Sequence, residues 1–330
     1  MIIGHQKQWQ LLKKSKEKGK LSHAYLFSGE EKLGKKTLAV EFVKFLNCLD
    51  SGKIKPCNNC KNCLDIEKRI YPDFVIIEPV FLQNEKNKNK KNSLNSSKSI
   101  GIKQIKDLIL KLSLRSFSSL YKIAIIDDAH LMTYEAQNCF LKFLEEPKGD
   151  AILILITSYP EMLLPTVLSR VEKINFFPVE KKEIEKYIFS KKQFNNTEEI
   201  FLIAKGKPGT VIDLLNSPDA YSNYKKTISE LENIINSDIS FRFNYLKKLI
   251  EENSNFLLKI SEILNIWLNY FRYELLLRLN IKEKENNKIL QKYSLSKIIK
   301  IINLIQSTNF LISTTNVNPK LAIELLLIEI

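Results

Sequence analysis

No apolar run in this chain is long enough to cross a membrane. The longest, Ala151 to Thr157, falls far short of the roughly 18 to 20 residues that a bilayer demands. The opening MIIGHQKQWQ lacks the apolar segment of a secretory signal. Both absences lead to the expectation of a soluble, cytoplasmic protein with no membrane partner. Acid is also in short supply. Asp and Glu number 37 against 51 Lys and Arg, a formal charge of +14, which invites contact with nucleic-acid phosphates. A competing reading stands beside it: lysine, asparagine and isoleucine are abundant throughout, so much of this charge is solvated surface. What is present in quantity is core-forming material, 44% hydrophobic and 10% aromatic over 330 residues. That excludes wholesale disorder and suits two or three domains of about 100 to 200 residues each.

The order of patterns along the chain gives the fold class. Tyr25–Ser28 is a short apolar run, followed by a glycine-bearing loop and a helical periodicity over Lys35–Asn47. Phe74–Ile77, Lys122–Asp127, Ala151–Thr157 and Lys173–Phe177 read as further strands, with helices expected over Ile102–Leu112 and Met132–Glu146, the latter stopped by Pro147. Strands alternating with helices imply an α/β fold with a parallel sheet covered on both faces. Ile123–Ile126 is apolar throughout, as a central strand buried on both sides should be. Any ligand belongs beyond the carboxyl ends of the strands. Between the second strand and the next helix, Gln83–Ser99 has Leu94 as its single large apolar residue and is expected to be a mobile loop. After Pro178 the strand pattern ends. Short helices are expected over Glu180–Ser190, Glu198–Lys205 and Thr210–Asn216, with a Gly206-Lys207-Pro208-Gly209 turn between the last two, and long leucine- and isoleucine-rich helices from Pro218 onward. The expected division is an α/β domain over residues 1–165, a helical lid over 166–212 and a helical domain over 213–330.

Four of the five cysteines, Cys48, Cys57, Cys60 and Cys63, fall within sixteen residues at C-x8-C-x2-C-x2-C spacing. Structural zinc takes four such ligands in a tetrahedron, and short C-x2-C steps let successive thiolates face one ion. In a cytoplasmic chain disulfides are not expected, and cysteines scattered through a core would not cluster in this way. The expectation is a structural Zn2+, with redox chemistry the alternative. A site with four protein ligands keeps no open position, so catalysis by this metal is not expected. Cys139 lies on the apolar side of its helix and reads as ordinary core.

The loop GEEKLGKKT, Gly29 to Thr37, nearly matches the phosphate-cradling pattern G-x-x-x-x-G-K-[ST], whose final hydroxyl binds the magnesium of a nucleoside triphosphate. Gly29, Gly34 and Lys35 fit. Lys36 stands at the hydroxyl position, and Thr37 comes one residue late. Asp127 and Asp128 close the apolar third strand, where the first acid of a P-loop ATPase helps to hold magnesium. Each pattern alone is weak, since glycine loops arise by chance and strands often end in aspartate. Their order and separation strengthen both.

These residues together resemble the delta-prime subunits of the bacterial DNA polymerase III clamp loader, within the AAA+ superfamily. The resemblance runs through Leu21–Phe27 (LSHAYLF), the glycine loop, the cysteine cluster, Ile126–His130 (IDDAH), Gln137–Pro147 (QNCFLKFLEEP), Leu168-Ser169-Arg170 and Asn318–Ala322 (NPKLA). It therefore covers nearly the whole chain, and LKFLEEP and the cysteine spacing are its most specific parts. It implies a subunit of a pentameric loader, partnered by motor ATPase subunits and delta, that opens the ring-shaped sliding clamp and places it on primed DNA. Such subunits are mainly static. The family's Ser-Arg-Cys motif is matched at Ser169-Arg170, with Val171 in place of the cysteine. Arg170 would then act in trans as an arginine finger on a neighbour's ATP, whereas without that context it reads as a helix cap or a local ion pair. The resemblance places a water-orienting glutamate where Asp128 stands, a sensor residue at Thr157, and a nucleotide-sensing arginine where the lid offers glycine. The residues 213–330 would join a collar holding the subunits together.

Three losses, at Lys36, Asp128 and the lid arginine, favour a scaffold that turns over no ATP/Mg2+ in its own site. Two alternatives remain at this point: an active clamp-loader motor ATPase with unusual motifs, and an independent zinc-containing DNA-binding protein, which the ATPase-like frame fits poorly. In the carboxyl-terminal third, Leu321, Ala322, Leu325 and Leu326 read as bundle core, and Trp267 and Tyr270 serve either packing or an interface.

Overall fold

The structure, a computed structural model, describes residues 2–50, 52, 55–81, 98–114, 121–146, 150–191, 200, 204–252, 256–279, 293–314 and 317–330. Two compact units divide the chain, residues 1–211 and 212–330. The expectations for residues 83–97, for Pro147 and for most of Glu198–Lys205 fall outside the described residues.

In the first unit, helix α1 (Gln6–Glu17) leads into strand β1 (Ala24–Ser28), helix α2 (Lys35–Asn47) and helix α3 (Lys61–Glu67). Strand β2 (Phe74–Ile77) follows, then a two-stranded ribbon of β3 (Val80–Phe81) and β4 (Lys98–Ser99), helix α4 (Ile102–Ser113) and strand β5 (Lys122–Ile126). Helix α5 (Tyr134–Glu145), strand β6 (Ala151–Thr157), the short helix α6 (Pro165–Leu168), strand β7 (Glu172–Asn175) and helix α7 (Lys181–Lys191) complete the series. The main sheet has the order β2-β5-β6-β1-β7, parallel at every pairing. The register sets Ser28 opposite both Thr157 and Asn175, and Ile77 opposite Ile126. The carboxyl ends of all five strands therefore open onto one edge, where a parallel sheet presents its ligands.

Alternate residues of each strand serve opposite faces. Tyr25, Phe27, Ile123, Ile125, Ile152 and Ile154 pack with Leu38, Phe42 and Leu46 of α2 and with Trp9 and Leu12 of α1. Leu26, Ala124, Ile126, Leu153 and Leu155 pack with Ile105 and Leu108 of α4 and Phe140 and Leu144 of α5. The doubly covered sheet expected from the alternation of patterns is what the chain forms, and every residue of β6 is buried.

Several boundaries differ from expectation for local reasons. Lys98 and Ser99, assigned to the mobile loop, pair antiparallel with Val80 and Phe81. The helix expected from Met132 begins at Tyr134: Met132 bridges to Ile100, and the Thr133 hydroxyl caps the helix by accepting from the Ala136 N–H at 3.3 Å. Strand β7 stops at Asn175 instead of Phe177, because it is an edge strand paired with β1 alone. Phe176 turns into the core instead, its N–H donating to the Ser28 carbonyl at 2.7 Å. Pro208 and Gly209 belong to the helix Pro208–Asn216, not to a turn; proline suits the first helical position, where its missing N–H has no intrahelical partner to lose.

The second unit is helical, with helices over Pro218–Asn236, Ile239–Glu252, Phe256–Arg278, Leu295–Thr314 and Pro319–Glu329. Leu231, Ile234, Leu264, Trp267, Phe271, Ile298, Ile305 and Leu326 form one core. Trp267 is fully buried, and Tyr270 is buried with its hydroxyl donating to Glu232 at 3.2 Å, so both serve packing. Leu321 and Leu325 do not join that core. They are 56% and 66% exposed, while Ala322 and Leu326, on the other side of the helix, are buried. Among the described residues no helix is long and apolar enough to cross a membrane.

Candidate functional site: a glycine loop and a cysteine cluster

Gly34 enters the helix α2 with φ 90°, and Gly29 sits at φ 155° against Phe176, whose carbonyl would lie 2.5 Å from any added Cβ. Both positions need glycine. Lys35, the lysine of the pattern, is buried and donates to the carbonyls of Gly29 at 2.5 Å and Glu30 at 2.6 Å and to the Ser158 hydroxyl at 3.1 Å. Burial lowers its pKa first of all, while Glu31, Asp128 and Asp127 act in the opposite sense.

Lys36 reaches across to the other strand ends. Its Nζ lies 2.8 Å from Asp127 Oδ2 and 2.5 Å from Glu78 Oε1, and Arg69 Nη1 adds a second cation 3.1 Å from the same glutamate oxygen. Burial alone would lower the Lys36 pKa, but the two carboxylates raise it; Glu78 is correspondingly held below its ordinary range, chiefly by the Lys36 hydrogen bond. Thr37 is exposed one position further along α2. Asp128 takes a left-handed backbone, φ 48° and ψ 49°. Burial raises its carboxyl pKa, with the Asp127 charge adding to the effect. Thr157, fully buried, shares a hydrogen bond of 3.2 Å with His130 Nδ1 and accepts from the Tyr159 N–H at 3.0 Å. The start of the helix Pro208–Asn216 also reaches the loop: Gly209 N–H donates to Lys32 O at 2.8 Å, and Lys207 Nζ is 2.6 Å from Glu30 Oε2.

The fold thus brings Gly29, Gly34, Lys35, Asp127 and Asp128 to one edge. Glu78, His130, Ser158 and Lys207 join them there without having been singled out from the sequence. The strand-end rule contained a signal for Glu78, which follows β2 as Asp127 follows β5. Arg170 lies apart from this group. Its Nη2 is 2.8 Å from Glu145 Oε1, and its Nη1 donates to the Thr166 carbonyl and the Ser169 hydroxyl at 2.9 and 3.2 Å.

The four clustered cysteines converge at the far end of α2. Cys48 is the carboxyl-terminal cap of that helix, Cys60 the amino-terminal cap of α3, and Cys63 lies buried in its first turn. All four Sγ atoms fall within 4.8 Å of one another. Tetrahedral zinc with bonds of about 2.3 Å sets its sulfurs about 3.8 Å apart, so the donor set fits that ion. The Cys60 N–H donates to Cys57 Sγ at 3.3 Å, and Asn58, at φ 59°, turns the chain between them. Burial pushes the Cys60 thiol up, but backbone N–H groups and neighbouring thiols outweigh it and bring it down to about 6. Cys63 is pushed up, first by burial and then by its hydrogen bond to Cys60. Opposite shifts of this kind are what sharing one small space imposes on several potential anions. Buried Lys44 braces the segment, with Nζ 3.1 Å from Glu67, 3.2 Å from Asn58 Oδ1 and 3.5 Å from Glu41. Cys139 stands apart, partly buried against the α5 side of the sheet.

A glycine loop between β1 and α2, with paired acids ending the neighbouring central strand and helices on both faces, defines a P-loop-type α/β protein of the AAA+ kind. The chain belongs to the clamp-loader delta-prime family: the family model described as DNA polymerase III, delta subunit, matches residues 4–180. It is 39% identical over 175 residues to DNA polymerase III subunit delta' of Bacillus subtilis, an alignment taking in 53% of this chain and 48% of that one. A DNA polymerase III subunit gamma/tau of Mycoplasma genitalium is 25% identical over 337 aligned positions, 93% of this chain and 53% of its own. This chain therefore spans about half the length of these relatives. A DNA polymerase III gamma subunit-related protein of Thermotoga maritima has the same fold, with a TM-score of 0.50 at 18% identity over 96% of this chain and 97% of that one.

Proposed function

We propose that this chain is a delta-prime-like subunit of the bacterial DNA polymerase III clamp loader, a scaffold that turns over no ATP itself and completes a neighbour's site with Arg170. The observation that carries this reading is the pairing of Lys36 with Asp127 at 2.8 Å. In a working loop a hydroxyl and that acid bracket magnesium; here an ammonium stands at the hydroxyl position and takes the acid as its counter-ion. Asp128 offers a shorter acid than glutamate, and a misplacement of about 1 Å can cost about a hundredfold in rate. The lid offers glycine where a nucleotide-sensing arginine is expected, and the neighbouring Lys207 is held by Glu30 at 2.6 Å.

In this reading Arg170 is stored on Glu145 and is released toward the ATP of an adjoining motor subunit, where its planar guanidinium stabilises charge on the transferred phosphoryl group. Residues 166–175 complete the main sheet through β7, so the lid expected over 166–212 is confined to the helices after it, and 213–330 act as the collar. The exposed apolar stripe of Leu321, Leu325 and Ile328 supports the collar assignment, since such a stripe marks an interaction surface. The partners are the motor subunits, delta, and through the assembly the sliding clamp and primed DNA. Cys48, Cys57, Cys60 and Cys63 would hold a Zn2+ whose contribution is structural, tying the segment after α2 to α3. The test is steady-state ATPase of the chain alone and of the reconstituted loader. The chain alone should be silent, and turnover above about 1 per second would make it a motor. Arg170→Ala should depress the activity of the assembly while leaving this chain's unfolding midpoint unchanged, because a partly exposed ion pair contributes only about 0 to 1 kcal/mol.

A further inference from the structure

We infer that Lys36 is a tethered substitute for the magnesium ion, and that this one side chain excludes magnesium-bound nucleotide from the loop; the inference rests on the reading of the loop as catalytically silent. Lys36 Nζ sits between the Asp127 and Glu78 carboxylates at 2.8 and 2.5 Å, the bridging position that a divalent cation takes between oxygen ligands. Arg69 contacts the second of these carboxylates. Two cations thus face two anions, and this pair of carboxylates has no unbalanced negative charge to offer a metal. Magnesium requires close, near-octahedral oxygen contacts of about 2.0 to 2.1 Å. To reach Asp127 it would have to displace an ammonium or share the oxygen with it, and like charges at that range repel strongly. Burial alone would disfavour the ammonium, but its two carboxylate neighbours raise its pKa and favour the charged form.

The loop's own side chains also hold its shape. Lys35 is satisfied by Gly29, Glu30 and Ser158, and the first turn of α2 carries Lys36 directly onto the end of β5. The phosphate-binding backbone is therefore retained while its metal requirement is met from within. A single substitution at this position should reopen the site. A hydroxyl at 36 restores the pattern G-x-x-x-x-G-K-[ST] and frees Asp127 to accept a metal.

The experiment is titration of the full chain with ATP and with ADP, read by thermal shift and by a fluorescent nucleotide analogue, in magnesium and in EDTA. Wild type should show no magnesium-dependent binding. Lys36→Thr should bind ATP about tenfold or more tightly in magnesium than in EDTA. Lys36→Arg, which keeps the cation, should behave as wild type. Magnesium-dependent binding by wild type overturns the inference, and so does a folded Lys36→Thr that does not respond. Should that variant fail to fold, Lys36→Ser, which also supplies the hydroxyl, decides: a magnesium-dependent response supports the inference and silence overturns it. ATP turnover by wild type would instead overturn the silent-loop reading on which the inference stands.

Discussion

Residue 29 shows how little room the loop allows. A methyl group there would lie 2.5 Å from the Phe176 carbonyl and 3.2 Å from Leu33, and the first of these neighbours is backbone that cannot swing aside. Gly29→Ala is therefore expected to lower stability by about 1 to 3 kcal/mol, seen as a lower urea midpoint with an unchanged slope. A midpoint equal to wild type would show that the backbone at Phe176 yields freely. The identity of Gly29, Gly34 and Lys35 was legible in the sequence because the pattern is local. The partners of Lys36 were only half legible. Asp127 belongs to the pattern of paired acids, but Glu78 reaches Lys36 only through the pairing of β2 with β5, and nothing in the spacing of residues 36 and 78 announces that contact. His130 was hidden for a similar reason: its bond to Thr157 joins the ends of two adjacent strands.

At the scale of elements, the cysteine segment is tied to the sheet through α2 and α3. Replacing Cys60 and Cys63 together by serine should abolish metal content, from about one zinc per chain to none by metal analysis of freshly prepared protein. It should also lower the unfolding temperature of residues 1–211. Ligand linkage at a free metal level a thousandfold above the dissociation constant amounts to about 4 kcal/mol. Metal-free wild-type protein would dispose of the zinc assignment. The strands of the sheet interior and α2 were legible nearly to the residue, since continuous burial leaves a continuous apolar signal. Edges were not. β7 buries one side chain of four, so its limits depend on hydrogen bonds to β1 rather than on hydrophobicity. Pro208 and Gly209 read as a turn by composition, although the helix they begin fits against Lys32.

At the scale of the whole molecule, alternating strands and helices followed by helices alone foretold an α/β region and a helical region. The direction of each helix in the second unit was not foretold, because leucine and isoleucine occupy more than one face. Leu321, Leu325 and Ile328 look identical to core in the sequence, yet the structure leaves them exposed. Leu325→Lys should leave the chain's own stability within about 0.5 kcal/mol of wild type, as expected of an exposed site, while weakening its incorporation into the reconstituted loader on size-exclusion chromatography. Unimpaired incorporation would remove this face from the collar proposal.

The Lys44 side chain, only 4% exposed, ties the cysteine segment to both neighbouring helices. It grips Glu41 on its own helix, Asn58 between two cysteines and Glu67 on α3, so the loop that carries the thiols is held from three sides. Were the four thiolates to take up a metal, such bracing would leave them less backbone entropy to overcome, and the cation that braces the segment is one the chain carries itself.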